Sequence, residues 1–127
     1  MTSTSIGISR LSLIRTVVDI IVAVDLYWMP KLTSYSVYIL SNVHRTVFYV
    51  GVTSDLMGRI WQHKNGQGGM FTAKYQCHYL LYYKDFNHIN KAIEREKNLK
   101  NWHREWKINL IKQDNPELKD LAADWYN

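Results

Sequence analysis

The sequence has little cysteine, no low-complexity tract and no long uninterrupted apolar run, and each shortage excludes a class of protein. One cysteine, Cys77, cannot form an internal disulfide or a multi-cysteine zinc site, and it fits a reducing cytoplasm, where we expect the protein. The most apolar stretch, Leu11 to Trp28, is interrupted by Arg15, Asp19 and Asp25. We therefore expect neither a membrane span nor a secretory signal there.

The composition is that of one folded domain with a basic surface. A chain of 127 residues and 15.0 kDa is long enough for one hydrophobic core and too short for two comfortable ones. With 46% hydrophobic and 21% charged residues, it lies far from the composition of disordered chains. A formal charge of +5 and a pI near 9.3 favour a polyanionic partner bound through phosphate contacts.

The pattern of the chain changes near residue 35. Residues 1–34 are an N-terminal extension whose pattern fits an amphipathic helix or a poorly ordered leader. Within it, Met29 is a candidate start of translation, because Pro30 and a polar linker follow it directly. From Tyr35 the pattern becomes regular, and we assign residues 35–126 to one domain.

This domain begins with a predicted β-hairpin. Two runs of β-branched and aromatic residues, Ser36 to Leu40 and Val47 to Val52, flank a polar segment and indicate antiparallel strands. Pairing Leu40 with Val47 sets Tyr38 opposite Tyr49, so that the two phenols stand side by side on one face.

The rest of the domain predicts helices around one further strand. In chain order, we expect a helix capped by Thr53-Ser54-Asp55 that runs to Lys64, a loop at Gly66 to Gly69, a strand at Tyr79 to Tyr83, a helical pattern over Asn87 to Gln113 broken near Asn101, and a closing helix over Pro116 to Tyr126. The order β-β-α-β-α-α describes an α+β fold with a three-stranded, mainly antiparallel sheet flanked by helices. Trp102 and Trp106 are assigned to its core, while Gly58 interrupts the first helix and should weaken it by about 1 kcal/mol.

Glu96 is the most unusual residue, because it lies on the apolar stripe of the long helical pattern. Burying an unpaired carboxylate is costly, so something must compensate its charge. A neighbouring Lys or Arg would do so in a purely structural role, and a divalent cation bound at a cleft wall would do so in a functional one. The spacing alone does not separate the two.

Four other residues could form a site with Glu96, although each has an ordinary structural explanation. The Arg59 guanidinium could bind two phosphate oxygens, or it could be a solvated helix arginine. His63, one turn later, could be a proton donor or a surface residue. Tyr38 and Tyr49 are common packing residues of strands, and only their expected proximity to Arg59 makes them candidates for catalysis.

The same residues resemble the signature of the GIY-YIG nuclease superfamily, and most of all its small single-domain bacterial branch. Ser36-Val37-Tyr38 and Tyr49-Val50-Gly51 are similar to its two strand motifs, with Ser36 and Val50 as departures. The segment around Arg59 and His63 resembles its arginine helix. The segment Ala92 to Lys97 resembles the helix that supplies its metal-binding glutamate, with Glu96 rather than Glu94 in the matching place.

This resemblance implies an endonuclease that hydrolyses a phosphodiester, in DNA, for repair, recombination or defence. It assigns Glu96 to a magnesium or manganese ion, Arg59 to the phosphate, Tyr38 with Tyr49 to the attacking water, and His63 to an auxiliary role. The pKa of Tyr38 would have to fall for it to act as a base, and the metal or Lys64 could lower it.

Partners and alternatives remain open from the sequence alone. Lys64, Lys97 and Lys100 are candidate contacts to the nucleic acid, on a basic face that Arg104 and Lys107 extend, or they are part of a solvated surface. A domain this small could need a homodimer or a partner protein to hold its substrate. The alternatives are a non-catalytic nucleic-acid-binding module with the same fold, and a scaffold in which Glu96 is paired to a lysine.

Overall fold

The computed structural model describes residues 34–126. Our expectations for residues 1–33, including the extension, the absence of a membrane span there and the start at Met29, lie outside the described residues. The elements are β1 (Tyr35–Ser41), β2 (Phe48–Thr53), α1 (Leu56–Lys64), α2 (Met70–Lys74), β3 (Tyr79–Phe86), α3 (Ile89–Lys100) and α4 (Arg104–Asp114).

The three strands form one antiparallel sheet in the order β2-β1-β3, which confirms the predicted α+β fold class. All seven residues of the central strand β1 are buried, because strands flank it on both edges and α3 packs across the sheet. The α3 side chains Ala92 and Leu99 are fully buried. This places α3, and Glu96 between those two residues, against the sheet.

The register of the predicted hairpin was wrong by two residues. Leu40 pairs with Tyr49 instead of Val47, and Tyr38 lies opposite Gly51. The reason lies in the connecting loop, where the Asn42 side chain accepts hydrogen bonds from the backbone N–H groups of Thr46 and Val47 at 2.9 and 3.1 Å. These amides are therefore unavailable to the ladder. Since side chains alternate with a period of two, the slip leaves both tyrosines on the same face.

The first helix has the predicted N-cap. Its Gly58 has a structural role that the sequence did not indicate. The Asp55 carboxylate accepts a hydrogen bond from the Gly58 backbone N–H at 3.1 Å. A Cβ atom on Gly58 would collide with that carboxylate. Gly58 therefore makes room for the capping side chain, which offsets its weak helix propensity.

Two predictions about the connecting segments were wrong. The short helix α2 follows the glycine loop, where no element was expected. The predicted closing helix over Pro116 to Tyr126 is a series of turns. Leu118 adopts a left-handed backbone conformation with φ 52°, and Asp120 accepts a hydrogen bond from the Leu80 backbone N–H at 2.9 Å. These contacts fasten the segment to β3 in place of helical hydrogen bonds.

The predicted break near Asn101 is confirmed, but the assignment of Trp106 to the core was wrong. Its side chain is 52% exposed and lies edge-on to Trp102, which is half-buried beneath Arg95. Residues 101–103 separate α3 from α4, and the buried face of α3 does not continue to Trp106.

Candidate functional site

The first feature of the site is the Tyr38 ring, which lies across the backbone of the neighbouring strand. Tyr38 is 1% exposed, and a Cβ atom on Gly51 would collide with its ring and hydroxyl. Only glycine at position 51 leaves that space. The Tyr49 ring centroid lies 6.3 Å from that of Tyr38, so the sheet does bring the two phenols together, in a diagonal arrangement.

His63 packs against both tyrosines and forms a triangle of rings with them. Its ring centroid is 5.6 Å from each of theirs, and its Nε2 is 2.9 Å from the Tyr38 hydroxyl. The side of the ring away from the tyrosines meets Gly68, where a Cβ atom would collide with the imidazole. His63 is only 1% exposed, so it is a buried member of the site and not a surface residue.

A threonine that the sequence did not single out fixes the other ring nitrogen. Nδ1 of His63 is 3.0 Å from the Thr72 hydroxyl, which itself donates to the Gly69 carbonyl at 3.4 Å. Since the Thr72 hydroxyl can place its one proton on that carbonyl, we assign Nδ1–H as the donor to Thr72, which leaves Nε2 to accept the Tyr38 proton. The chain of hydrogen bonds thus runs from Tyr38 through His63 to the loop.

The burial of this pair sets its protonation. Burial, followed by the charges of Arg59 and His78, lowers the pKa of His63 from 6.5 to about 4. Burial also raises the pKa of Tyr38 to about 12; Tyr49 and Glu96 add to the rise, and hydrogen bonding and charge from Arg59 oppose it. At neutral pH both groups are therefore uncharged, and the chain's own residues raise the pKa of Tyr38 instead of lowering it.

Arg59 is held beside the tyrosine by two hydrogen bonds. One guanidinium nitrogen donates to Gln62 Oε1 at 3.0 Å, and the other donates to the Gly68 carbonyl at 2.9 Å. Within residues 34–126, no carboxylate lies within ion-pair distance of Arg59. A cation that is oriented but not neutralised is suited to bind an anionic group of a ligand.

Glu96 lies on α3, on the face that also carries the buried Ala92 and Leu99. Its side chain is 14% exposed, and its charge contributes to the raised pKa of Tyr38. One oxygen, Oε2, accepts from Lys100 Nζ at 2.7 Å, across one helical turn. The expected compensation by a lysine is therefore present, from a Lys100 side chain that is 51% exposed.

The predicted nucleic-acid contacts differ in their surroundings. Lys64 donates to Asp120 at 2.6 Å and to the His78 carbonyl at 2.8 Å, so it ties α1 to the segment after α4. It is not placed to lower the pKa of Tyr38. Lys97 is exposed in the last turn of α3, and Lys100 pairs with Glu96. Their contacts to a nucleic acid stay predictions.

The donor set fits a magnesium ion better than a transition metal. Among residues 34–126 there is no group of three His, Cys, Asp or Glu side chains that could hold a metal. Magnesium needs no such cage, because it keeps several waters and binds through one or two carboxylates together with substrate phosphate. Glu96 offers one such carboxylate, with a side chain that is 14% exposed.

The structure thus brings Tyr38, Tyr49 and His63 together with Arg59 beside them, and it places Glu96 on the helix that packs against the same sheet. Sequence reasoning missed Gln62, Gly68 and Thr72, which orient the arginine and the histidine. The paired glycines at 68 and 69 were a signal for a close approach of backbone, but nothing in the sequence indicated that the partner was His63. None of the helices in the described part of the chain is both long and apolar enough to cross a bilayer.

Comparisons with known proteins find small bacterial relatives. A UPF0213 protein of Pediococcus pentosaceus is 28% identical over 93 residues, covering 73% of this chain and 97% of the relative. UPF0213 proteins of Staphylococcus saprophyticus and Staphylococcus aureus are 34% and 31% identical over 65 residues, covering 51% of this chain and 79% of each relative. The solution NMR structure of a UPF0213 protein from Bacillus halodurans matches with a TM-score of 0.46 and 24% identity, covering 72% of this chain and 97% of that one.

A family model described as the GIY-YIG catalytic domain matches residues 34–109. This range contains the whole sheet, the helix that carries Arg59 and His63, and the helix that carries Glu96. It therefore covers every residue of the site, and the chain belongs to the GIY-YIG catalytic domain family.

Proposed function

We propose that this protein is a metal-dependent endonuclease that hydrolyses a phosphodiester of DNA. The observation that carries the proposal is the hydrogen-bonded Tyr38–His63 pair with Arg59 beside it and no carboxylate paired with that arginine among residues 34–126. The Glu96 carboxylate, on the helix that packs against the same sheet, supports it. Phosphoryl transfer mainly requires positioning and electrostatic stabilisation, and these four groups supply both. The membership in the GIY-YIG family supports a nuclease activity.

Tyr38 is proposed to orient the attacking water as a neutral phenol. Because its proton is directed to Nε2 of His63, the lone pairs of the phenol oxygen can accept a hydrogen bond from water. The imidazole holds that proton direction only while it is uncharged, which its low pKa ensures at neutral pH. Tyr49 packs against the imidazole ring of His63, and Thr72 bonds to its Nδ1 atom, so the two residues keep the imidazole in position.

Arg59 is proposed to bind the scissile phosphate, and Glu96 would hold the divalent ion. The fixed hydrogen bonds of Arg59 orient its guanidinium before substrate arrives, so little reorganisation accompanies the reaction. When bound, magnesium or manganese supplies Lewis-acid stabilisation of charge on the phosphate oxygens. Lys97 and Lys100 are proposed to contact the flanking backbone. We place the reaction in the cytoplasm, where Cys77 would stay reduced.

A nicking assay with matched variants tests the proposal. Glu96→Gln should abolish magnesium-dependent cleavage of duplex, flap, junction and single-stranded DNA, and Arg59→Ala should slow cleavage by about 10²- to 10³-fold. Glu94→Gln is the matched control, since Glu94 is an exposed carboxylate of the same helix. The proposal fails if the wild-type protein cleaves none of these substrates in magnesium or manganese, or if both glutamate variants behave alike.

The ion pair between Glu96 and Lys100 supports a second candidate, a nucleic-acid-binding module that cleaves nothing. In that case the lysine already compensates the carboxylate, and no metal is required. Binding without metal-dependent cleavage would favour this module. If Glu96→Gln instead lowers thermal stability and leaves nucleic-acid affinity unchanged, the domain is a scaffold.

A further inference from the structure

Three aromatic rings continue outward from the site across the glycine loop. Tyr49 stacks on Phe71 with ring centroids 5.9 Å apart and planes inclined by 30°, and Phe71 contacts Tyr75 at 4.8 Å. We call Tyr49, Phe71 and Tyr75 the aromatic ladder. Phe71 is 45% exposed and Tyr75 is 41% exposed, so the ladder opens to solvent instead of filling the core.

The short helix α2 both supports the site and carries an aromatic ring of the ladder at the surface. Thr72 is buried and bonds to His63, whereas Phe71 and the C-cap residue Tyr75, four residues apart, contact each other and are partly exposed. A five-residue helix gains little folding stability from a half-exposed ring at Phe71 and another at its C-cap, Tyr75. Exposed apolar surface of this kind marks a place where something binds.

The charge around the ladder indicates the chemistry of its partner. Lys74 Nζ lies 5.3 Å from the centroid of the Tyr75 ring at the outer end, and Arg59 lies beside Tyr38 at the inner end. Among residues 34–126, neither cation has a carboxylate within ion-pair distance. Aromatic faces flanked by free cations suit a strand of unpaired nucleotides, in which bases stack on rings and phosphates meet the cations.

We propose that the aromatic ladder stacks unpaired bases next to the site, so that the preferred substrate carries a single-stranded segment at the point of cleavage. The bases of an intact duplex are stacked on one another and cannot lie on Phe71 or Tyr75. Tyr49 joins the two regions, because it contacts His63 on one side and Phe71 on the other. A base on the ladder therefore holds the adjoining phosphate near Arg59. This inference deepens the proposed nuclease function and names its substrate class.

The test measures binding in the absence of metal, so its outcome does not depend on cleavage. The full-length protein and its variants are titrated with a labelled single-stranded oligonucleotide, the same strand with abasic sites, and a blunt duplex, using fluorescence anisotropy in EDTA. Phe71→Leu removes the ring and keeps an apolar side chain, and Phe71→Trp restores a ring. Trp106→Ala is the control, an equally exposed aromatic residue outside the ladder.

We expect Phe71→Leu to weaken binding of the single strand by about 5- to 150-fold, the loss typical of one stacked base. Binding of the abasic strand and of the duplex should change by less than about twofold, and Phe71→Trp should restore the affinity. The proposal is overturned if the abasic strand binds as tightly as the intact one, or if Phe71→Leu weakens all three ligands equally. It is also overturned if sedimentation shows a dimer that Phe71→Leu dissociates, since a second copy would then cover the ladder.

The nicking assay keeps the two proposals apart. If the intact and the abasic strand bind equally well while metal-dependent cleavage is observed, only the proposal for the aromatic ladder is refuted. Tight, base-dependent binding with no cleavage of any substrate would refute the nuclease and leave the ladder in place.

Discussion

Acid should destabilise this fold through His63, because the buried imidazole resists protonation. Its pKa is lowered from 6.5 to about 4 by burial, by the positive charge of Arg59 and by His78. Protonation would also remove the acceptor of the Tyr38 hydrogen bond. A protonated His63 would therefore lie away from water, beside the positive charge of Arg59 and with its Nε2–H directed at the Tyr38 hydroxyl proton.

The sign and the size of the effect follow from linkage. Above pH 6.5 the histidine is neutral in both the folded and the unfolded chain, so the contribution to stability is fully present. As the pH falls from 6.5 to about 4, the unfolded chain binds a proton that the folded chain does not, and stability falls. One unit of pKa corresponds to about 1.4 kcal/mol, so the free energy of unfolding should fall by on the order of 3 kcal/mol by the time the pH reaches about 4.

Urea unfolding across this pH range measures the effect. Wild-type protein should lose this stability, whereas His63→Gln should show only the smaller slope that its carboxylates contribute. His88→Gln controls for the loss of a histidine, because His88 is exposed. Equal slopes in wild type and His63→Gln, or an NMR titration of the His63 ring with a midpoint near 6.5, would refute the reasoning.

Three further substitutions test the positioning of the site. Gly51→Ala places a Cβ atom into the Tyr38 ring, so urea unfolding should show a loss of about 1–3 kcal/mol together with loss of cleavage; unchanged stability would mean that the ring moves freely. Thr72→Val leaves Nδ1–H of His63 without an acceptor and should cost about 1–3 kcal/mol in thermal unfolding, while Thr72→Ser should not; equal values for the two would contradict the assigned hydrogen bond. Lys100→Gln removes the cation that competes with a metal ion for Glu96, so calorimetry should show a higher manganese affinity. The rise should be only about twofold, because a partly exposed ion pair is weak, and an unchanged affinity would place the metal elsewhere.

The fold could be predicted from the sequence to the extent that its elements have periodic patterns. The strands, the capped helix before Lys64 and the break near Asn101 all follow from alternation, capping residues and helical spacing. The hairpin register did not, because a side chain, Asn42, takes the amides of Thr46 and Val47. The closing segment was misjudged for the same kind of reason, since Asp120 binds β3 instead of supporting a helix.

The site could be predicted only in part, and mainly through resemblance. Residue type and spacing identified Tyr38, Arg59 and Glu96 as candidates, and the fold places Arg59 beside Tyr38 and packs the helix of Glu96 against the sheet. The pKa of Tyr38 depends on burial, which no local pattern of the sequence reveals. The partner of His63 lies nine residues away in a short helix, and its contact exists only because Gly68 lets the loop approach the ring.

The central proposal is that the Glu96 carboxylate holds a divalent ion close to Tyr38 and Arg59. Paramagnetic broadening by manganese tests it directly, because the effect falls steeply with distance from the ion. Added at a small fraction of the protein concentration, manganese should broaden the amide signals around Tyr38, Arg59 and Glu96 in the wild-type protein and leave them sharp in Glu96→Gln. Broadening that is absent, or that persists unchanged in Glu96→Gln, would contradict the account.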